Sequence, residues 1–301
     1  MPDEPPAMAQ DRFMARRGEE AAAPADFSTD EGAFAYACAQ LDTLVEAMRY
    51  SLKKQITGWP GDDRELNTHE ALRHLLRNIS FAHAAHVEGD YGNPTLTKMG
   101  GTNRIQFQLQ STDCNYHTAI LHGGHTYRLR GYRGTCAVFQ ISTFNGHSCD
   151  FADGWRMIAN ANNGDTPQFA PGRDIDVVLS AARPAHLGPD QVWLELPEGR
   201  CEMHIRQYYA DWLTEEPAAL MLTCEDQVFP PPLLTRETAE ERFRRLPDLL
   251  RVHADFAEAG VRSHLQSPPD RVARFEVPGA FAGTEYFSGH FRCPPDGGVP
   301  F

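Results

Sequence analysis

The chain has 301 residues, 41% of them hydrophobic, enough to bury a substantial core in one large domain or in one domain with a helical appendage. Its 28 Lys and Arg against 41 Asp and Glu give a formal charge of −13, so nucleic acid and anionic membrane surfaces are poor partners. No apolar stretch approaches the roughly 20 residues of a bilayer span, and a cytoplasmic protein without membrane partners is expected.

Met1 to Asp26 is rich in Pro, Ala and charge and lacks the apolar centre of a secretory signal, so residues 1–26 read as a disordered tail. Ser28-Thr29-Asp30-Glu31 has the S-x-x-E form of a capping box. After it Phe34, Ala37, Leu41, Leu44, Val45, Met48 and Leu52 recur at helical spacing. Trp59 to Asp62 marks a turn, and Asn67 to about His86 reads as a second helix, with Leu72, Leu75, Leu76 and Ile79 on one side. The two helices are expected to pack as an antiparallel hairpin over residues 27–90. From Arg104 the period becomes two: residues 104–110 alternate completely, and strands are predicted at 115–121, 126–132, 135–143, 174–180, 191–196, 201–209 and 218–224. Asn160 to Gly172 reads as an exposed loop, and Arg236 to about Ala259 as helix broken in two by Pro247. No helix of crossover length separates the strands. The expected class is therefore α+β: a helical hairpin, an antiparallel β-sandwich or jelly-roll-like core over 91–230, and a C-terminal helical segment with a tail over 231–301. The seven cysteines form no CxxC pair and are expected to be reduced, small core residues.

The segment from Asn115 to Arg130 carries two strand-like runs around Gly123-Gly124, a pair able to supply the positive φ angles of a two-residue hairpin turn. In that register His122 faces His125 and His117 faces Arg130. Tyr116, Thr118, Ile120, Tyr127 and Leu129 then share the core face, while Asp113, Asn115, His117, Arg128, Arg130 and Tyr132 gather on the other. A carboxylate, an imidazole, two guanidiniums and a phenol would suit an anionic or hydroxyl-bearing ligand, with His117 available for acid–base work. The solvated outer face of any half-buried sheet shows the same alternation. In residues 201–208, Cys201, Met203 and Ile205 point one way and Glu202, His204, Arg206 and Tyr208 the other. Arg206 could orient an anion or form a structural ion pair with Asp211.

Thirteen histidines raise the question of a metal. His117 and His122 are five residues apart and point to opposite faces about 16 Å away from each other at 3.3 Å per residue, which excludes a three-histidine site on the hairpin. His83 and His86 could share a ligand at i, i+3, as could His122 and His125 across the turn, and His147 beside Cys149 and Asp150 is the best further candidate. Each is more often an ordinary histidine, and no metal or other cofactor is assigned. No nucleophile elbow, P-loop or dinucleotide fingerprint is present.

Lys98, Asp113-Cys114-Asn115-Tyr116, Tyr127-Arg128-Leu129-Arg130-Gly131, Trp193-Leu194-Glu195-Leu196-Pro197 and Arg206-Gln207-Tyr208-Tyr209-Ala210-Asp211-Trp212 follow one another in an order that resembles the bacterial domain-of-unknown-function family numbered twelve-fourteen. The resemblance covers about residues 90–225 and implies a β-sandwich or jelly-roll-like fold. It implies no settled activity, and fold does not fix chemistry. It also implies further β structure after the segment Tyr286 to Pro295, so the chain is expected to be short relative to that family.

Three functions are compatible with these features. One is a metal-independent lyase, isomerase or hydrolase acting on a small polar or sugar-like molecule. His117 would be its base, Arg130 and Arg128 its anion stabilisers, and Asp113 or Asn115 its orienting group, with Arg206 and Tyr208 as further ligand contacts. Another is a non-catalytic carbohydrate or metabolite module, with Tyr132, Tyr208, Trp155 and Trp212 stacking on the ligand. The third is a structural or assembly protein. A small-molecule ligand is the expected partner, and the oligomeric state is open.

Overall fold

A computed structural model describes residues 26–58, 63–99, 110–153, 155–266, 271–275 and 286–290. The predicted tail and most of the strand predicted at 104–110 lie outside these residues. Helix α1 (Asp30–Gly58) starts one residue later than the S-x-x-E pattern implies. Thr29 Oγ1 accepts the Gly32 amide at 3.0 Å, while Ser28 turns to Asp26. Helix α2 (Arg64–Ala82) is capped by Asp63, whose carboxylate accepts the Leu66 amide at 2.9 Å. It ends in a π-turn, His83–Val87, closed by the Glu88 amide on the His83 carbonyl at 3.0 Å. Helix α3 (Arg236–Gln266) runs unbroken through Pro247, contrary to expectation. Leu246, Leu249, Leu250 and Ala254 are buried on both sides of the proline, and this packing outweighs the roughly 3 kcal/mol that an interior proline costs. The three helices pack as one layer around Ala47, Leu75 and Leu250, so the predicted hairpin gains α3 as a third member.

The β core is two packed sheets, as the alternation implied. One holds β1 (Thr97–Lys98), β2 (Cys114–His122), β4 (Val138–Asn145), β5 (Met157–Asn162) and β8 (Arg200–Tyr208) in the order β1-β2-β8-β4-β5. The other holds β3 (Tyr127–Tyr132), β6 (Asp174–Ser180), β7 (Gln191–Glu195) and β9 (Ala219–Cys224) in the order β7-β6-β3-β9. All neighbours are antiparallel except β6 and β7. A separate antiparallel pair joins β10 (Arg271–Phe275) to β11 (Tyr286–His290). Leu121, Leu129, Phe139, Ile141, Val177, Leu179, Met203 and Ile205 fill the space between the two sheets. The helical layer covers the outward face of the five-stranded sheet, making an α+β molecule of three layers. A Cβ at Gly89, just past the π-turn, would meet Ile120 of β2 at 2.5 Å, which measures how closely the layers approach.

Two sequence expectations fail here for physical reasons. Strands β2 and β3 are not a hairpin: β2 pairs with β1 and β8, and β3 with β6 and β9. Gly123-Gly124 begins a crossover between the sheets, and neither residue is among the glycines with positive φ that a two-residue turn of this kind needs. Gly123 is required for close approach instead. Its amide donates to the Gly199 carbonyl at 2.7 Å, and a Cβ would lie 2.0 Å from the Pro197 carbonyl oxygen. The loop predicted from Asn160 also starts too early, because β5 continues to Asn162. There Asn160 Oδ1 accepts from Gln140 and Ser142 of the neighbouring strand, a cross-strand pairing that compensates for the low strand propensity of Asn.

Candidate metal centre

The loss of the hairpin disperses the predicted polar face. On β2 the odd positions point into the sandwich: Ala119 and Leu121 join its core, and Asn115 at the same parity donates to Tyr209 Oη at 3.0 Å. Thr118 and Ile120, assigned to the core, do lie buried, but against the helical layer. His117 pairs across to Ile205 and Lys98, half-buried, its pKa lowered by burial and then by Lys98. Arg128 and Arg130 lie on the opposite, outward surface of the four-stranded sheet, where both pair with Asp176 and Arg128 also meets Glu225. Tyr132 donates to Glu216 at 2.8 Å. Asp113, exposed, accepts Trp212 Nε1 at 3.4 Å. His117 and the two arginines therefore cannot act on one ligand.

The parity assigned to β8 is correct. Cys201, Met203 and Ile205 are core, and Glu202, His204, Arg206 and Tyr208 face outward. Tyr208 meets Tyr116 edge-on at 6.3 Å, and Arg206 pairs across to Tyr116 on β2 and to Gln140 on β4. Asp211 does not pair with Arg206; it accepts from Leu213 N and Thr214 Oγ1 at 2.9 Å each. What the alternation could not reveal is that this outward face is itself covered. The helical layer leaves Glu202 with 0% exposure and His204 with 6%.

Against Glu202 the fold brings together side chains that are distant in sequence. The extra residue of the π-turn sends His83 outward to Glu88, with Nε2 to Oε1 at 3.2 Å, and His86 inward to 0% exposure. The turn after β4, a 3₁₀ segment at Ser148–Asp153, is held by the His147 amide on Asp150 Oδ2 at 2.9 Å and delivers His147 and Cys149 to the same spot. One ligating atom each of His86, His147 and Cys149 lies within 4.8 Å of the others, and all three residues are buried. Both ring nitrogens of His147 and Nδ1 of His86 are buried without any hydrogen-bond partner, while His86 Nε2 is 3.4 Å from Ser148 Oγ.

The electrostatics suit a cation. Burial pushes both imidazoles, His147 strongly, toward the neutral form that can ligate. Burial also holds the Cys149 thiol well above its ordinary value, so only a metal ion or a comparable charge would ionise it there. Burial alone would raise the Glu202 pKa, but His204 and the surrounding imidazoles outweigh it and keep the carboxyl far below the usual range. Its oxygens accept from Thr118 Oγ1 at 2.7 Å, His204 Nε2 at 2.9 Å and the Ser148 amide at 2.6 Å. The nearby cations are already matched: Arg245 pairs with Glu241, and Arg200 with Asp150.

From sequence, His147 stands out beside Cys149, and His86 is expected to share a ligand with His83. That pairing fails because an i, i+3 pair faces one way only on an α-helix, and the π-turn turns the two apart.

No protein-family model matches the chain, and no curated protein matches it. Among solved structures it is similar to an uncharacterised protein from Burkholderia cenocepacia, with a TM-score of 0.67 and 23% identity over 79% of this chain. The chain spans 63% of the length of that protein. A protein from Vibrio parahaemolyticus matches 63% of this chain and 42% of its own at 9% identity, with a TM-score of 0.30. The Burkholderia likeness establishes a shared fold and nothing of activity.

Proposed function

We propose that this chain is a metalloprotein that holds one divalent transition ion of the zinc class through His86, His147 and Cys149, and that the ion fastens the helical layer to the β-sandwich. This replaces the expectation that no metal is held. The observation that carries it is His147, a fully buried imidazole with neither nitrogen satisfied, within ligating reach of a second imidazole and a thiol. Leaving such a group unpaired costs about 1–3 kcal/mol, so a native fold retains it only where something partners it. Two imidazoles and a thiolate favour zinc-like ions over calcium or magnesium. Charge also closes. Binding would displace the Cys149 proton to solvent, and the thiolate with the Glu202 carboxylate balances the two positive charges of the ion. Because the ligands come from the π-turn and the 3₁₀ segment, binding would be coupled to docking of the helices.

Cobalt titration of the metal-stripped protein tests this. One equivalent should bring in a thiolate-to-cobalt absorption band together with a rise in melting temperature, and Cys149→Ser should lose the band. A stripped wild type that binds no cobalt overturns the proposal.

A second reading keeps the expected small polar or sugar-like ligand and moves it. A cleft of about 410 Å³ lies on the outward face of the four-stranded sheet, lined among others by Arg128, Ser180, Arg183, His186 and Gln191. The Arg183 guanidinium of this lining rests over the Trp193 ring at 5.8 Å, which holds in place a cation that the carboxylate of a sugar acid could meet. Ligand-induced thermal stabilisation that survives Arg183→Ala would exclude this cleft.

A further inference from the structure

A fully enclosed ion needs a way in. The buried centre is not isolated: a row of rings leads from it to the surface. His86 lies 5.9 Å from His147, His147 lies 6.0 Å from Tyr91, Tyr91 lies 5.3 Å from His122, and His122 lies 6.2 Å from His125, all between ring centroids. At the outer end stands a second set of ligating atoms. His125, Cys224 and Asp226 each place one within 4.8 Å of the others. Their exposure is graded. Cys224 is 5% exposed, whereas the His125 and Asp226 side chains are 35% and 56% exposed, with Nδ1 to Oδ2 at 3.8 Å.

The local structure holds this outer set in place. His125 lies in the crossover from β2 to β3, and Cys224 is the last residue of β9, paired with Tyr127. The Thr126 amide donates to Asp226 Oδ2 at 3.0 Å and the Glu225 amide to the Thr126 carbonyl at 2.8 Å, which anchors the carboxylate beside the crossover. His122 presents Nδ1 at the exposed turn, where the Gly124 amide is its 3.0 Å partner and water can replace that donor. The guanidinium of Arg245 lies over the Tyr91 ring at 5.3 Å, but Glu241 accepts from it at 2.7 Å, so the row carries no unmatched positive charge at that point.

We infer that His125, Cys224 and Asp226 form an outer loading site, from which a zinc-class ion passes along His122 and Tyr91 to His86, His147 and Cys149. The inference rests on the metal-binding reading above. An outer site that is a conduit changes the rates of loading and release together. An exposed carboxylate raises the local cation concentration and hence the rate of capture.

Stopped-flow loading of cobalt into the stripped full-length protein tests it, followed at the part of the thiolate-to-cobalt band that Cys149→Ser abolishes, which separates the buried centre from Cys224. The wild type is compared with Asp226→Asn and His125→Ala, both partly exposed positions where folding is checked by circular dichroism. Loading and release should each slow on the order of tenfold, the low end of what charge steering supplies. Should His125→Ala fail to fold, Asp226→Asn alone carries the test, since an Asn can still accept the Thr126 amide. A wild type that loads while the folded variants load at its rate overturns the inference and leaves the metal-binding reading intact. A wild type that takes up no cobalt overturns both.

Discussion

At the residue scale the decisive group is His147. Its position beside Cys149 was legible from sequence, because only Ser148 separates them. Its lack of partners was not, since that depends on the π-turn at His86, far upstream in the chain, closing over it. The same limit applied to Glu202, whose parity on β8 was read correctly while its burial was not. A strand pattern reports which side chains share a face and is silent on what covers that face. His147→Leu separates the metal role from an ordinary packing role. Leucine fills nearly the same volume and removes two unsatisfied buried polar atoms. In the stripped protein the substitution should therefore be neutral or stabilising by about 1–3 kcal/mol. In the metal-loaded protein it should abolish the stabilisation that the ion supplies. Urea unfolding of both proteins with and without zinc checks this. Destabilisation of the stripped variant would mean the imidazole already has a partner without metal.

At the element scale the strands were legible and their pairing was not. Predicted and observed strands agree within a few residues at 115–121, 174–180 and 201–209, because alternation survives whatever the partner strand is. Gly123-Gly124 was misread because two glycines announce a tight place in the chain without saying which kind. One kind needs positive φ; the other needs the missing Cβ. Here it is the second, since the Pro197 carbonyl occupies the space of a Gly123 side chain. Gly123→Ala should accordingly cost about 2 kcal/mol or more through backbone displacement, in the range of a strained overpacked site. Gly172, which has φ of +76° and open space around it, should cost less when changed to Ala, because only the backbone conformation is then at stake. Melting temperatures of the two variants make the comparison, and the reverse order would show that the Pro197 carbonyl gives way to a Gly123 side chain at little cost.

At the scale of the whole molecule the three layers place neutral histidines where solvent cannot reach them, and this ties stability to pH. No helix among the described residues is long and apolar enough to cross a membrane. His253 of α3 is the clearest case. Burial presses its pKa down to about 3, with smaller contributions from His86 and His74 in the same direction and Glu202 opposing. Its Nδ1 meets Asn78 Oδ1 at 2.8 Å, which requires a proton on that nitrogen. An unfolded histidine titrates near 6.5, so between about 6.5 and 3 the unfolded chain binds a proton that the folded chain refuses. Stability is therefore present above 6.5 and declines as the pH falls, by about 1.4 kcal/mol per pH unit for each such histidine. His253→Gln can donate to the Asn78 oxygen without titrating, so it should flatten the decline by about one proton. Between pH 5 and 6.5 the low-lying Glu202 contributes nothing to the slope, and the difference between the two proteins isolates His253 from His86 and His147. Urea unfolding of the zinc-free proteins across that interval measures it, and equal slopes would show that the folded helical layer admits a protonated His253.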